Sequence, residues 1–298
     1  MNRTFYLPVV SVLFFLTFAA FSQGEEQGKK SGSEKTITGN TANVATAKDY
    51  SGFFKDREAT DWKGFKKYQF SFQNRQATIV VPQKAAEGKP WIWRARFFGH
   101  EPQTDIALLN KGYHLVYLNS VPMLGAPCCV ERWQNFYLFL TEKLGFNKKA
   151  NLEGMSRGGL YVINWAYKYP NQVASIYIDN PVLDFKSWPG GKGKAKGTPS
   201  EWANILRYYG FSEKEAMEYK LNPVDIAPEL AKKKVPILIL CADADKAVPY
   251  EENTKIFAEK YKAAGGSIEV IMKPGFDHHP HSLPDPAPIV NFILKYNK

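Results

Sequence analysis

The sequence predicts an α/β fold with a mostly parallel central sheet, and three observations lead to that prediction. From Pro90 onward, apolar segments with strand character alternate with segments of helical character that stop at Gly or Pro. The 298 residues are 44% hydrophobic, which is enough to bury one large core. One apolar strand runs directly into a Gly-flanked serine, where a helix begins. Strands and helices that alternate in this way form a parallel sheet with helices on both faces.

The predicted elements follow one another between residues 68 and 296. Residues 68–72 alternate aromatic and polar side chains, as strands do, and a polar turn at Asn74 joins them to a strand over 77–81. Later strands are predicted over 91–96, 114–118, 150–153, 173–178, 236–240 and 267–272. Helices are predicted over 104–111, 132–144, 158–169, 251–264 and 286–296.

The N-terminal residues have the features of a secretory signal. Arg3 precedes an apolar stretch over 5–21, and small residues lie before a cleavage point after Ser22. A membrane anchor is the alternative, although Pro8 and Thr17 weaken this stretch as a spanning helix. We therefore expect a signal peptide over 1–22, a secreted or periplasmic protein, and no stable membrane insertion after cleavage.

The remaining chain divides into a linker and one folded domain. Residues 23–48 are polar and lack aromatic side chains, which predicts a flexible linker before an α/β domain over 49–298. Between 179 and 235 no strand is evident, and a Gly-Lys loop precedes short helices over 200–209 and 212–219. An insertion after a strand's carboxyl end lies at the edge where such sheets bind ligands. We predict a small helical cap over about 184–230; ordinary connecting helices are the alternative.

Charge and cysteine content exclude several classes of function. The formal charge is +10, of which Arg3 would leave with the signal. For an exported protein this basic surface does not indicate nucleic-acid binding; it is either merely solvated or attracts an anionic polymer. The three cysteines, Cys128, Cys129 and Cys241, support neither a disulfide scaffold nor a cysteine zinc site, and Cys241 is expected to be buried.

The segment Gly154-Met155-Ser156-Arg157-Gly158-Gly159 fits the pattern G-x-S-x-G between a strand and a helix. A serine on such a turn projects its hydroxyl above the sheet, and Gly154 and Gly158, which have no Cβ, allow the turn to form without clashes. Ser156 is therefore a candidate nucleophile. It needs a histidine as base and a carboxylate to orient that histidine.

The acid and the base follow in the order that this strand-turn-helix arrangement uses, serine first, then acid, then histidine. Asp245 lies in the loop after the strand over 236–240, and it is preferred to Asp243, which is nearer the strand, and to Asp179. His278 lies just after the last strand. All of these strand ends meet at one edge of a parallel sheet.

Four other histidines compete with His278 or are given different roles. His279 and His281 are alternative bases, since they neighbour His278. The three together could suggest a metal site, but adjacent histidines on a loop rarely converge without further ligands, so no metal and no cofactor is expected. His100 and His114 are expected to be structural.

An oxyanion hole requires two backbone N–H donors. The residue after the nucleophile, Arg157, should supply one. The second should come from the loop after the strand over 91–96, from Arg96 or Phe97.

The Ser156 turn, the Asp245 loop and the His278 loop resemble the α/β-hydrolase superfamily over residues 50–298. The resemblance implies an eight-stranded, mostly parallel sheet and serine-hydrolase chemistry. It does not imply a substrate, because this fold serves esterases, peptidases, dehalogenases and lyases.

The residues around the serine narrow the expected substrate. The Ser156-Arg157 pair is similar to the elbow of glucuronoyl esterases, which act on uronate esters, although this chain lacks the lysine that they carry further along. Arg94, beside Trp91 and Trp93, and Trp188 in the predicted cap could stack on and pair with anionic sugars. Arg157, Arg94 and Trp188 are therefore the predicted substrate-binding residues; the alternative for the strand tryptophans is the core.

These predictions together describe a secreted carboxylic-ester hydrolase that removes an acetyl or other acyl group, or a uronate ester, from a carbohydrate. The expected partner is a small or polymeric ester, anionic in the preferred case. One alternative is a peptidase similar to prolyl oligopeptidase catalytic domains, which usually follow a propeller. The other is a non-catalytic carbohydrate-binding module that retains the fold.

Overall fold

A computed structural model describes residues 51–297 of the chain. Its strands are β1 (Thr60–Trp62), β2 (Phe65–Phe72), β3 (Arg75–Val81), β4 (Trp91–Arg94), β5 (His114–Leu118), β6 (Ala150–Met155), β7 (Val173–Asp179), β8 (Ile237–Ala242) and β9 (Ile268–Lys273). Its α-helices are α1 (Ser51–Phe54), α2 (Gln103–Asn110), α3 (Pro127–Leu138), α4 (Gly158–Lys168), α5 (Pro199–Tyr209), α6 (Glu213–Glu218), α7 (Pro223–Ala231), α8 (Thr254–Ala263) and α9 (Ala287–Tyr296).

The predicted signal peptide over 1–22 and the predicted linker over 23–48 lie outside the described residues. Among the helices of the described part, none is long and apolar enough to cross a membrane.

The strands form one sheet in the order β1-β2-β3-β5-β4-β6-β7-β8-β9. Every pair from β5 to β9 in that order is parallel, while β1, β2 and β3 join antiparallel at the other edge. The described residues thus form nine strands, whereas the resemblance implied eight. The mostly parallel sheet matches the prediction from the alternating pattern.

Two helices differ from the predicted pattern for local reasons. α3 begins at Pro127, which occupies the first helical turn, where a missing N–H costs nothing. Its predicted continuation to residue 144 is a π-helical turn over Phe139–Lys143. α7 was not predicted, because Pro228 interrupts its pattern; a capping box of Asn222 and Asp225 starts it.

The core lies on both faces of the sheet. On one face, Trp93 stacks on Trp133 with ring centroids 4.1 Å apart, and Trp91 and Trp165 pack beside them. On the other face, Ile92 belongs to a separate apolar cluster. Alternate residues of a strand face opposite sides, so β4 serves both clusters. Trp91 and Trp93 are therefore core residues and do not reach substrate.

The segment predicted as a cap has two parts. α5 supplies Glu201 to the side chain of Arg157, next to the serine turn, and Trp188 lies against the same arginine. α7 instead packs against α4 and α8, in the helical layer beside the sheet. Only the first part therefore contacts the region around Ser156.

Candidate active site

The turn that carries Ser156 connects β6 to α4. Ser156 has a left-handed φ of +51°, a conformation that costs energy for a residue with a side chain. Its N–H donates to the Asp179 carbonyl at 2.9 Å, and its carbonyl accepts from the N–H of Gly159 at 3.0 Å and of Val182 at 2.9 Å. These three bonds hold the serine in the strained conformation.

Two glycines allow the backbone segments around Ser156 to pack closely. A Cβ on Gly154 would lie 2.8 Å from the Gly158 carbonyl oxygen, and one on Gly159 would lie 2.7 Å from the Val182 carbonyl oxygen. Gly158 differs, because its Cβ would meet Ala95 Cβ at 3.6 Å, an ordinary contact. The sequence pattern assigned the steric role to Gly154 and Gly158; the structure assigns it to Gly154 and Gly159.

We expect Gly159→Ala to destabilise the protein by about 1–3 kcal/mol, the usual cost of overpacking against a backbone that cannot move. Gly158→Ala, also in the first turn of α4, is the matched control. It should leave stability unchanged or raise it by up to about 1 kcal/mol, because Ala is the better helix former. Urea unfolding of both variants measures the difference, and a Gly159→Ala variant as stable as Gly158→Ala would show that the close contacts at Gly159 relax.

The structure brings Ser156, His278 and Asp245 into one hydrogen-bonded chain. His278 Nε2 lies 2.9 Å from Ser156 Oγ, and His278 Nδ1 lies 2.7 Å from Asp245 Oδ2. Ser156 and Asp245 are both buried, while His278 is partly exposed. This geometry allows the imidazole to accept the serine proton while the carboxylate fixes its orientation.

Asp245 is oriented by its own loop. Its Oδ1 accepts the N–H groups of Ala247 at 2.9 Å and Val248 at 2.8 Å, which leaves Oδ2 for the histidine. The competing Asp243 is exposed, and its Oδ1 accepts the Gly275 N–H at 2.6 Å. The structure therefore places Asp245, and not Asp243, beside His278.

Asp179, the third candidate for the acid, is fully buried at the end of β7 and has a different set of partners. It pairs with Lys273 Nζ at 2.9 Å and accepts the Ser282 N–H at 2.6 Å. His281 Nδ1 lies 3.4 Å away. Lys273 Nζ also donates to the Pro280 carbonyl at 2.8 Å. Asp179 therefore anchors the loop that carries His278.

The remaining histidines divide between the core and the site. His114 is buried against the Pro90 carbonyl, and burial lowers its pKa to about 4, in agreement with a structural role. His100 was also expected to be structural, but it is 44% exposed and lines the cavity beside Ser156. The sequence offered one indication that His100 lies near the site, its position close after the predicted oxyanion residues Arg96 and Phe97.

The loop after β4 offers the second N–H donor. Phe97 lines the same cavity as Ser156 and Arg157, whereas Arg96 does not, which favours Phe97 over Arg96. Across residues 51–297, the N–H groups of Phe97 and Arg157 have no protein acceptor. Phe97 has a left-handed φ of +55°.

Arg94 holds this loop and does not reach substrate, so the prediction that it binds substrate is wrong. Only 1% of its surface is exposed. Its Nε donates to the carbonyls of Arg96 at 3.2 Å and Phe97 at 3.1 Å, and its Nη2 donates to the His100 carbonyl. The end of β4 turns its side chain under the loop instead of into the cavity.

Two buried acidic side chains contact Arg94. Asp105 Oδ2 lies 2.5 Å and Glu153 Oε1 lies 3.0 Å from its Nη1. Burial raises the pKa of Glu153 well above 4.5, against the opposing effect of Arg94. Burial also acts to lower the pKa of Arg94, but the two acids outweigh it and raise that pKa. Asp105 and Glu153 were not recognised as partners from the sequence.

Arg157 lies at the mouth of the site, held by the cap. Its guanidinium forms a salt bridge with Glu201 and lies 4.8 Å from the ring centroid of Trp188 and 5.7 Å from that of Phe97. A quarter of its side chain is exposed, and its Nε is buried without a partner in the described part of the chain. Trp188 itself is buried behind the guanidinium.

A cavity of about 390 Å³ opens above Ser156. Its walls are aromatic and basic: Phe97, Phe98, His100, Ser156, Arg157, His278, His279 and His281. The volume is in the range of sites for small ligands. Sequence reasoning missed Phe98, His100 and Glu201 as neighbours of this site.

Residues 137–296, more than half of the chain, match the model of the prolyl oligopeptidase family. The chain belongs to the prolyl oligopeptidase family. The matched segment of this family member contains Ser156, Asp245 and His278. A comparison with curated proteins found no match.

Solved structures show that this prolyl oligopeptidase family member has the predicted α/β-hydrolase fold. Porphyromonas gingivalis dipeptidyl peptidase 4 superposes with a TM-score of 0.58 at 15% identity, covering 85% of this chain and 37% of that one. An S-formylglutathione hydrolase from Agrobacterium tumefaciens gives 0.56 at 16%, covering 80% and 96%. Puromycin hydrolase gives 0.59 at 18%, covering 77% and 37%.

The chain spans only 35% to 42% of the length of several peptidases that it matches. Family membership together with these folds supports a serine hydrolase of the peptidase or esterase kind.

Proposed function

We propose that the protein is an exported serine hydrolase that cleaves a carboxylic ester on a carbohydrate, with Ser156, His278 and Asp245 as its catalytic triad. The observation that carries this proposal is the continuous hydrogen-bonded chain from Ser156 Oγ through both nitrogens of His278 to Asp245. Such a chain, at the floor of an open cavity, is the arrangement that acyl transfer by serine requires.

In the proposed reaction, Ser156 Oγ attacks the ester carbonyl carbon while His278 Nε2 takes the hydroxyl proton. The N–H groups of Arg157 and Phe97 donate hydrogen bonds to the carbonyl oxygen and stabilise the negative charge that develops on it. His278 then gives its proton to the departing alcohol, which leaves an acyl group on Ser156. A water molecule, activated by the same nitrogen, releases the acid.

The walls of the cavity support an anionic or sugar-bearing ester. The Arg157 guanidinium lies 4.8 Å from the ring centroid of Trp188 and pairs with Glu201, and a substrate carboxylate could replace Glu201 as its partner. The rings of Phe97 and Phe98 offer apolar faces on which a sugar could stack.

A peptidase is the second candidate, because the family match supports peptide substrates as much as esters. The lining of the cavity argues against an exopeptidase that binds a free N-terminus. Among the described residues that line it, none is acidic, and the Glu201 carboxylate is already paired with the Arg157 guanidinium, so a substrate ammonium group would lack an unpaired carboxylate partner.

A paired set of esters and amides separates these candidates. We expect the purified protein to hydrolyse p-nitrophenyl acetate and acetylated polysaccharides faster than aminoacyl p-nitroanilides. For an anionic ester compared with its neutral analogue, Arg157→Met should raise KM by about tenfold for the anionic ester only, the effect of losing one charge-assisted contact.

Two outcomes would contradict the proposal. Faster cleavage of p-nitroanilides than of any ester would assign the protein to the peptidases. Equal changes in KM for the charged and neutral esters would remove Arg157 from substrate recognition, although the ester-hydrolase assignment would stand.

A further inference from the structure

We propose that His278, His279 and His281 form a binding site for a divalent transition-metal ion of the Zn²⁺ class, and that the bound ion switches the hydrolase off. The binding site stands on the geometry of the three histidines alone. The loss of activity rests on the proposed function, in which His278 is the base.

The three imidazoles converge in the structure although they are close in sequence. One ligand nitrogen from each ring lies within 4.8 Å of the others. The ring centroids are 5.1, 5.0 and 4.8 Å apart, and the ring planes are steeply inclined to one another. Bonds of about 2.0–2.1 Å to a tetrahedral zinc ion place nitrogens about 3.4 Å apart, so a shift of about 1 Å closes the site.

Two of the three histidines already have the carboxylate partner that orients metal-binding histidines. Asp245 lies 2.7 Å from Nδ1 of His278, and Asp179 lies 3.4 Å from Nδ1 of His281. In zinc sites, a carboxylate on one ring nitrogen directs the other nitrogen to the metal. Here the second nitrogen of each ring is Nε2, and both histidines line the cavity.

His279 can make the shift of about 1 Å that brings the three nitrogens to zinc-binding distance. It is exposed, so its ring can rotate toward the other two without leaving a buried position. His100, with ring centroids 5.8 and 5.9 Å from those of His279 and His281, lies outside the converging set. Ser156 Oγ or water from the open cavity would complete four ligands around the ion.

Binding of the ion would prevent His278 from acting as the catalytic base. His278 Nε2 now holds Ser156 Oγ at 2.9 Å, and a lone pair that is donated to a metal cannot accept the serine proton. The sequence predicted no metal site, because adjacent histidines on a loop seldom converge. In the structure, the contact of His281 with Asp179 orients its ring toward the other two histidines.

The test of binding uses the full chain without a polyhistidine tag, stripped of metal with a chelator and titrated with zinc chloride by calorimetry. We expect one zinc ion per chain, and binding to Ser156→Ala as well. His279→Ala should weaken zinc binding by at least about tenfold. His100→Ala, which removes a neighbouring histidine of the same cavity, is the matched control and should leave zinc affinity unchanged.

The test of inhibition follows p-nitrophenyl acetate hydrolysis as zinc is added. Zinc should abolish turnover of the original protein, EDTA should restore it, and the inhibition curve of His279→Ala should shift by the same factor as its affinity. Absence of saturable binding, or equal weakening by His100→Ala, would overturn the site. Stoichiometric binding with unchanged turnover would overturn the switch. If the metal-free protein cleaves no ester but binds one zinc, the proposed function fails and the metal site stands.

Discussion

Replacement of Ser156 by Ala should lower turnover of a p-nitrophenyl ester by about 10⁴-fold or more, because the attacking oxygen is lost. The same variant should no longer be labelled by a fluorophosphonate probe, which reacts only with an activated serine. Both effects should occur with little loss of stability, since the side-chain hydrogen bond of Ser156 Oγ is the one to His278, which is partly exposed. Initial rates, labelling and a urea unfolding curve measure the three quantities.

Asp245→Asn provides the companion measurement. It keeps the shape of the side chain but favours the wrong tautomer of His278, and turnover should fall by about 10⁴-fold. Asp243→Asn is the control, because Asp243 contacts Gly275 and not the histidine; its turnover should be nearly unchanged. Labelling that persists in Ser156→Ala would exclude this serine as nucleophile and would favour a different reactive residue.

Replacement of Arg94 by Met should destabilise the protein by about 3–5 kcal/mol, the cost of leaving buried carboxylates without their cation. Met retains much of the apolar stem, so the loss reports mainly on Asp105 and Glu153, which are fully buried. Carbonyl groups of the loop over 96–100 also lose their donor. Ester turnover should therefore fall together with stability, and urea unfolding is the primary measurement.

The deficit should depend on pH with a definite sign. The pKa of Glu153 is raised above 4.5 in the folded protein, so the protonated form favours folding, and its contribution to stability is lost as pH rises through the folded pKa. Without Arg94 this pKa rises further. The gap between Arg94→Met and the original protein should thus stay constant while Glu153 is protonated in both, and widen as pH rises through the folded pKa of Glu153 in the original protein, which lies well above 4.5.

Arg157→Met is the matched control for this substitution, because Arg157 also forms an ion pair, with Glu201, but is a quarter exposed. Partly exposed ion pairs contribute up to about 1 kcal/mol. If both substitutions lowered the free energy of unfolding equally, burial of Arg94 with its two acids would add nothing to its contribution to stability.

Local patterns were sufficient to predict most of the fold. β5 was predicted with its observed bounds, and the strands before and after the serine turn needed only small changes. These strands are buried on both faces, and most of their residues are apolar, although β6 also buries Asn151 and Glu153. α7 was missed because Pro228 breaks a helical pattern whose start is set by hydrogen bonds between Asn222 and Asp225.

The site residues that follow strand ends could be predicted from the sequence. The roles of residues that depend on partners far away in the chain could not. Ser156, Asp245 and His278 each follow a parallel strand, and the structure places them within hydrogen-bonding distance. The role of Arg94 depends on Glu153, which is 59 residues away, and that of Arg157 on Glu201, 44 residues away. No spacing rule connects such pairs, so only the folded chain reveals them.

The strand order has a consequence for biosynthesis. Ser156 and His278 are 122 residues apart, and β7, β8 and β9 lie between them in the chain. A ribosome that has translated the chain only as far as α8 has produced the serine and its carboxylate but not the imidazole. The three-residue chain of hydrogen bonds can therefore form only after β9 and the loop with His278 have been translated, and a nascent chain that ends before this loop contains the serine without its base.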